Sequence, residues 1–267
     1  MWITMKEMYN AARKSGHAVG AFHAINLEQV QGIMEASVEE QVPVIVCLNE
    51  QTTMYAGMSA FLAMVHALAE EVQTPVALLL DHIHDQDIIK NALDKGVSGI
   101  LAEVRAEDES NAIASLKALK SECDKYDALF EVSLRLKSED NTLNVMSSPS
   151  IINQVDPHSI CISINKAERG KVADDTLDLL EKIIPSLGCP ASLAGIGRWK
   201  DEEIKRAVKA GAWKISIGTR LNMAFTNGLK SYLAAEPDRI NPRSYLAAAK
   251  ERFRGEVREC IHLLQAV

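Results

Sequence analysis

Eight short apolar runs recur along this chain at a nearly even interval, and none has a helical period. They are Ala18–Phe22 (AVGAF), Val42–Leu48 (VPVIVCL), Val76–Leu80 (VALLL), Gly99–Ala102 (GILA), Ala128–Ser133 (ALFEVS), Ile160–Ile164 (ICISI), Ala191–Ala194 (ASLA) and Trp213–Ile217 (WKISI). Their starts, at residues 18, 42, 76, 99, 128, 160, 191 and 213, lie 22 to 34 residues apart. That interval holds one strand, one helix and two short loops. Continuous apolar runs suit strands buried on both faces, so the units read as parallel βα repeats. Eight of them in 267 residues predict an α/β protein, a single (β/α)8 TIM barrel over residues 1–267.

The intervening segments support helices. Asn26 reads as a cap before the apolar face Val30, Ile33, Met34 and Val38. Asp87–Asp94 stops at Lys95-Gly96, and Asp201–Ala210 carries acids in its first turn and Lys209 in its last, as the helix dipole favours. The polar stretch Leu136–Pro157 reads as a long loop containing a short helix. Residues 221–267 form a helical extension, Leu221–Leu233 and Arg243–Leu264. Its second helix exceeds what a barrel unit needs, and either crosses to a partner subunit or caps the end.

Net charge is -7 with no Lys/Arg block, which argues against nucleic acid or an anionic membrane as partner. Five widely spaced cysteines without a CxxC pattern, of which Cys47, Cys161 and Cys189 sit in or beside apolar runs, suggest buried thiols and a reducing cytoplasm. No run of about 20 apolar residues is evident.

In such a barrel, catalytic groups belong at the C-terminal strand ends. Those positions hold His23, Asn49 and Glu50, Asp81-His82, Glu103 with Arg105, and Ser133 with Arg135. The later ends hold Asn165-Lys166 with Glu168, Gly195–Arg198 and Gly218–Arg220. The segment Asp81–Asp85 (DHIHD) concentrates imidazoles and carboxylates where a buried strand emerges; alternatively it is a helix N-terminus with Asp81 or Asp85 capping. The segments Ala194–Arg198 (AGIGR) and Ser216–Arg220 (SIGTR) read as a phosphate site. Glycine backbone N–H groups of Gly195, Gly197 and Gly218, the Thr219 hydroxyl and the charges of Arg198 and Arg220 would hold the anion. The alternative is two tight turns with exposed arginines.

Three stretches, Gly20–Gln29 (GAFHAINLEQ), Val76–His82 and Trp213–Tyr245, resemble the class II (zinc-dependent) ketose-bisphosphate aldolases, and the likeness runs over nearly the whole chain. The resemblance implies the barrel, a homodimer or homotetramer, Asp81 as general acid/base and His82 as first zinc ligand. His23 and Ser216 fall among the implied substrate contacts. The family's other two zinc histidines correspond to Glu168 and Ala194, its Asp after the fourth strand to Glu103, and its Glu-x-Glu-Leu-Gly segment to Glu131–Arg135. Its mobile-loop acid corresponds to Glu139. Catalytic zinc needs three protein ligands and an open position. A divalent metal is therefore expected only from a rebuilt set: His82, Glu168 and either Glu131 or His23. Lys166, after the sixth strand, offers a Schiff base as the alternative electron sink, or is a phosphate-binding or surface lysine. Three readings stand: a carbon–carbon lyase acting on a small phosphorylated sugar-like substrate, a non-catalytic homologue that binds a phosphorylated ligand or partner, and a zinc aldolase with rebuilt ligands.

Overall fold

The computed structural model describes residues 1–83, 85–103, 109–135, 137–139, 142–144, 148–164 and 174–265. The strands in chain order are β1 (Val19–His23), β2 (Val44–Asn49), β3 (Val76–Ile83), β4 (Gly99–Glu103) and β5 (Leu129–Arg135). There follow β6 (Lys137–Glu139), β7 (Thr142–Asn144), β8 (Ser159–Ser163), β9 (Ala191–Ala194) and β10 (Lys214–Ile217). All but β6 and β7 close into one parallel barrel, each pairing with the next and β10 returning to β1. The (β/α)8 barrel read from the apolar runs is the observed fold.

Parallel strands buried on both faces generate two cores. Outward side chains such as Phe22, Val46, Leu78 and Ile215 pack under the helices. Inward ones, including Ala21, Cys47, Leu79, Leu101 and Cys161, fill the barrel. The inner core is sealed by a helix not anticipated from the sequence, Met5–Ser15, whose Met5, Met8 and Ala12 lie in the same cluster. Thr4 and Glu7 form its capping box, and Gly16 ends it at φ 73°. Burying each methionine contributes about 1.5–3 kcal/mol.

Low in the barrel lies an ion pair. Lys214 Nζ is 2.6 Å from Glu131 Oε2, with both side chains fully buried. Ser159 and Ser192 donate their hydroxyls to Glu131 Oε1, and the Trp213 indole donates to Ser159. Glu131 is therefore not available to a metal at the mouth. It neutralises a buried ammonium instead.

The described residues within Leu136–Pro157 include two short strands, β6 and β7, besides a helix. β6 and β7 pair antiparallel, and the expected short helix is Ser148–Val155. The C-terminal helices are Thr219–Ala235 and Pro242–Gln265. The long one docks on its own barrel. Phe253 packs where Gly32 of the helix Leu27–Glu40 leaves room, since a Cβ there would lie 3.0 Å from the ring. Lys250–Glu35, Arg254–Glu39, Arg258–Glu40 and His262–Glu40 line the same seam. Glu50–Glu71 is, by length and composition, apolar enough to cross a membrane, which the apolar-run reading overlooked. It connects β2 to β3 and buries Phe61, Leu62, Val65 and Ala69 against the barrel. Cys47 and Cys161 are buried as expected, whereas Cys189 is only half-buried.

Candidate active site

At the C-terminal mouth of the barrel is a cavity of about 410 Å³, lined among others by His23, Asn49, Gln51, Asp81, His82, Gly195, Gly197, Ser216, Gly218 and Thr219. Its centre is a buried carboxylate held by two imidazoles. Asp81 Oδ2 lies 2.8 Å from His23 Nε2, and Asp81 Oδ1 lies 2.9 Å from His82 Nδ1. Burial alone would raise the Asp81 pKa, but the charges and hydrogen bonds of His82 and His23 hold it well below the usual carboxylate range. Burial likewise opposes charge on His82, and Asp81 overcomes it, raising the imidazole's pKa.

A regular strand sends neighbouring side chains to opposite faces, so Asp81 and His82 could not both enter the barrel. The pairing of β3 with β4 shifts between Asp81 and Ile83, and His82 sits at φ 53°. This bulge turns His82 inward beside Asp81 and returns Ile83 to the outer core. A non-glycine residue at positive φ costs on the order of 1–3 kcal/mol and is typical of functional sites. β3 thus runs beyond Leu80, where its apolar run ends, and carries the two site residues on its own tip. Asp85, by contrast, caps the next helix, accepting from the N–H groups of Asp87 and Ile88.

His82 Nε2 faces two hydroxyls, Ser163 Oγ at 3.1 Å and Ser133 Oγ at 3.3 Å, which are themselves 2.8 Å apart. Both ring nitrogens are therefore engaged by protein groups. Among the described residues no group of three His, Cys, Asp or Glu could hold a metal ion. Ala194, at the position of the family's third zinc histidine, adds only a methyl to the cavity wall. The described residues do not fit the zinc site that the resemblance implied. Lys166, Glu168, Asn165 and Arg105 lie outside the described residues.

The glycines after β9 and β10 line the cavity as expected, and each has a packing reason. Gly195 is at φ 81°, and a Cβ there would lie 2.7 Å from the Ile164 carbonyl oxygen. A Cβ on Gly218 would lie 3.2 Å from the His23 ring, so that glycine leaves His23 its place against Asp81. The arginines are placed differently. Arg198 is exposed and does not line the cavity. Arg220 donates to Asp201 at 2.8 Å and to Glu256, tying the start of its helix to two neighbours. Of the expected phosphate set, His23, Gly195, Gly197, Ser216, Gly218 and Thr219 meet at the cavity, and Arg198 and Arg220 do not.

Ser163, Gln51, Thr52 and Asn222 were not read from the sequence. Gln51, Thr52 and Asn222 belong to helices beyond the strand ends. Ser163 lay hidden inside the run ICISI, although period-two counting inward from Cys161 reaches it.

The family described as class II fructose-bisphosphate aldolase matches residues 3–267. Among solved structures, the YdjI aldolase from Escherichia coli K12 superposes with a TM-score of 0.84 at 20% identity, covering 99% of this chain and 97% of that one. A putative fructose-1,6-bisphosphate aldolase from Coccidioides immitis gives 0.81 at 17% identity over 97% and 95%. The fructose-bisphosphate aldolase of Campylobacter jejuni gives 0.82 at 16% over 100% and 96%. At these identities the structures speak to fold alone.

Proposed function

The chain belongs to the class II fructose-bisphosphate aldolase family, a family of aldolase-type lyases, and on that premise we propose that it makes or breaks a carbon–carbon bond in a small phosphorylated, sugar-like substrate. The observation that carries the reading is the ionised Asp81 between His23 and His82, facing the glycine loops across one cavity. Phosphate sits on the backbone N–H groups of Gly195, Gly197 and Gly218 with the Thr219 hydroxyl, at the N-terminal end of the helix Thr219–Ala235. Asp81 stays charged and orients the two imidazoles, and proton transfer to and from the substrate runs through this group.

Carbanion chemistry also needs an electron sink. Lys214 is unsuited, because it is sealed from the cavity and Glu131 overcomes the effect of burial to keep it protonated. Lys166 is the proposed Schiff-base lysine. Borohydride reduction in the presence of dihydroxyacetone phosphate should mark Lys166, with turnover surviving EDTA. Loss of all turnover in EDTA without a trapped adduct supports a metal held by His82 and Glu168 instead. Stabilisation by dihydroxyacetone phosphate without turnover on any ketose phosphate supports a binding protein. Exposed Met223, Leu233 and Ile240 on and between the C-terminal helices favour a homo-oligomer, and the reading is of a cytoplasmic enzyme.

A further inference from the structure

Ser163 has no part in the aldol reading, yet its surroundings are those of an activated hydroxyl. It ends β8 as the register partner of Ala194 on β9, and partners in a parallel pair share a face. Ala194 and His82 line the cavity, and Ser163, half-buried, stands on the same strand face beside them. Its Oγ is 3.1 Å from His82 Nε2, and His82 Nδ1 is 2.9 Å from Asp81 Oδ1. In the neutral imidazole a carboxylate on Nδ1 holds the ring proton there and leaves Nε2 as acceptor for the Ser163 hydroxyl. Asp81 is in turn held by His23 through its other oxygen at 2.8 Å. Ser133 is nearer to Ser163 (2.8 Å) than to His82 (3.3 Å), and is buried at 4% exposure, so it buttresses the half-buried Ser163.

We propose that Ser163, His82 and Asp81 form a nucleophile–base–orienter triad, giving this barrel a second reactivity towards small activated acyl compounds such as acyl phosphates. Ser163 Oγ bonds to the carbonyl carbon while its proton passes to His82 Nε2. The bond from that carbon to the phosphate oxygen then breaks, and the departing phosphate takes the proton. Water attacks the acyl-serine by the reverse proton route, releasing the carboxylic acid and restoring Ser163. The leaving phosphate group lies toward the Gly195–Gly197 backbone, beside the serine. This chemistry shares Asp81 and the glycine loop with the aldol reading but uses neither an electron sink nor a carbanion, so covalent labelling of Ser163 and aldol turnover report on the two separately.

The test is covalent labelling of the full-length protein with an alkyl fluorophosphonate, in which Ser163 Oγ bonds to phosphorus and fluoride leaves. Peptide mass mapping should find one adduct, on Ser163, and excess acetyl phosphate should slow its formation. Asp81→Asn and His82→Ala should each slow labelling by roughly a hundredfold or more. The wild-type mapping does not depend on any variant folding. No adduct, an adduct on Ser133 or elsewhere, or an unchanged rate in folded Asp81→Asn overturns the proposal.

Discussion

Replacing Glu131 by Gln removes the counter-charge of an ammonium at the centre of the barrel while keeping its size and its hydrogen-bond acceptor. In the native protein both side chains are fully buried, 2.6 Å apart, with Ser159 and Ser192 donating to the carboxylate. Breaking such a pair costs about 3–5 kcal/mol, because one charge is left buried alone. An independent bound agrees. The variant can escape by deprotonating Lys214, and from an ordinary lysine value of 10.5 this costs at most about 4.8 kcal/mol at pH 7, at about 1.36 kcal/mol per pH unit. For a chain of this size, each kcal/mol lowers Tm by about 2–4 °C, so the melting temperature should fall by roughly 6–20 °C. Where deprotonation sets the cost, at pH 9 it should be smaller by about 2.7 kcal/mol. The native pair behaves otherwise. Its Lys214 pKa is raised in the folded state, so its contribution is complete below the ordinary lysine value and lost only as pH rises through the raised one. Urea unfolding followed by circular dichroism at pH 7 and 9 measures both. The double variant Glu131→Leu with Lys214→Met should recover stability to within about 1 kcal/mol of native or exceed it. A cost below about 1 kcal/mol for Glu131→Gln at pH 7 would show that the charge reasoning is wrong.

Gly195→Ala places a methyl 2.7 Å from the Ile164 carbonyl oxygen at φ 81°, so it should destabilise by roughly 1–3 kcal/mol and weaken binding of inorganic phosphate, both readable by calorimetry. Asp81→Asn should lower turnover by about 10²–10⁴-fold, and an unaltered rate would remove Asp81 from the chemistry. Because the folded pKa of Asp81 is depressed, its stabilising effect should hold above the ordinary carboxylate value and be lost as pH falls through the depressed one. That of His82, whose pKa is raised, should be lost as pH rises through the raised imidazole value; urea midpoints from pH 2 to 9 test both signs. Protein purified without added metal should carry well under one equivalent of zinc by elemental analysis, since both nitrogens of His82 are engaged and Ala194 offers no ligand.

Local order carried most of the fold. A strand covered on both faces must be apolar throughout, and that requirement is met within five or six neighbouring residues, so the eight barrel strands were legible as runs. Asp81-His82 at the end of Leu78–Leu80 and the paired glycine segments were legible for the same reason. The helix Met5–Ser15 was also within reach, since Met5, Met8 and Ala12 follow a helical spacing. Closure of the barrel decided the rest. Arg220 looks like a phosphate ligand until folding brings Asp201 and Glu256 to it, and Glu131 looks like a metal ligand until β5 and β10 face each other across the interior. Ser163 is an unremarked strand residue until β8 stands opposite a bulged β3 whose left-handed His82 turns toward it. Short-range patterning specifies which segments become strands and where they end. Which polar groups meet depends on pairings across the barrel, between residues far apart in the chain, and no window of neighbouring residues contains both partners.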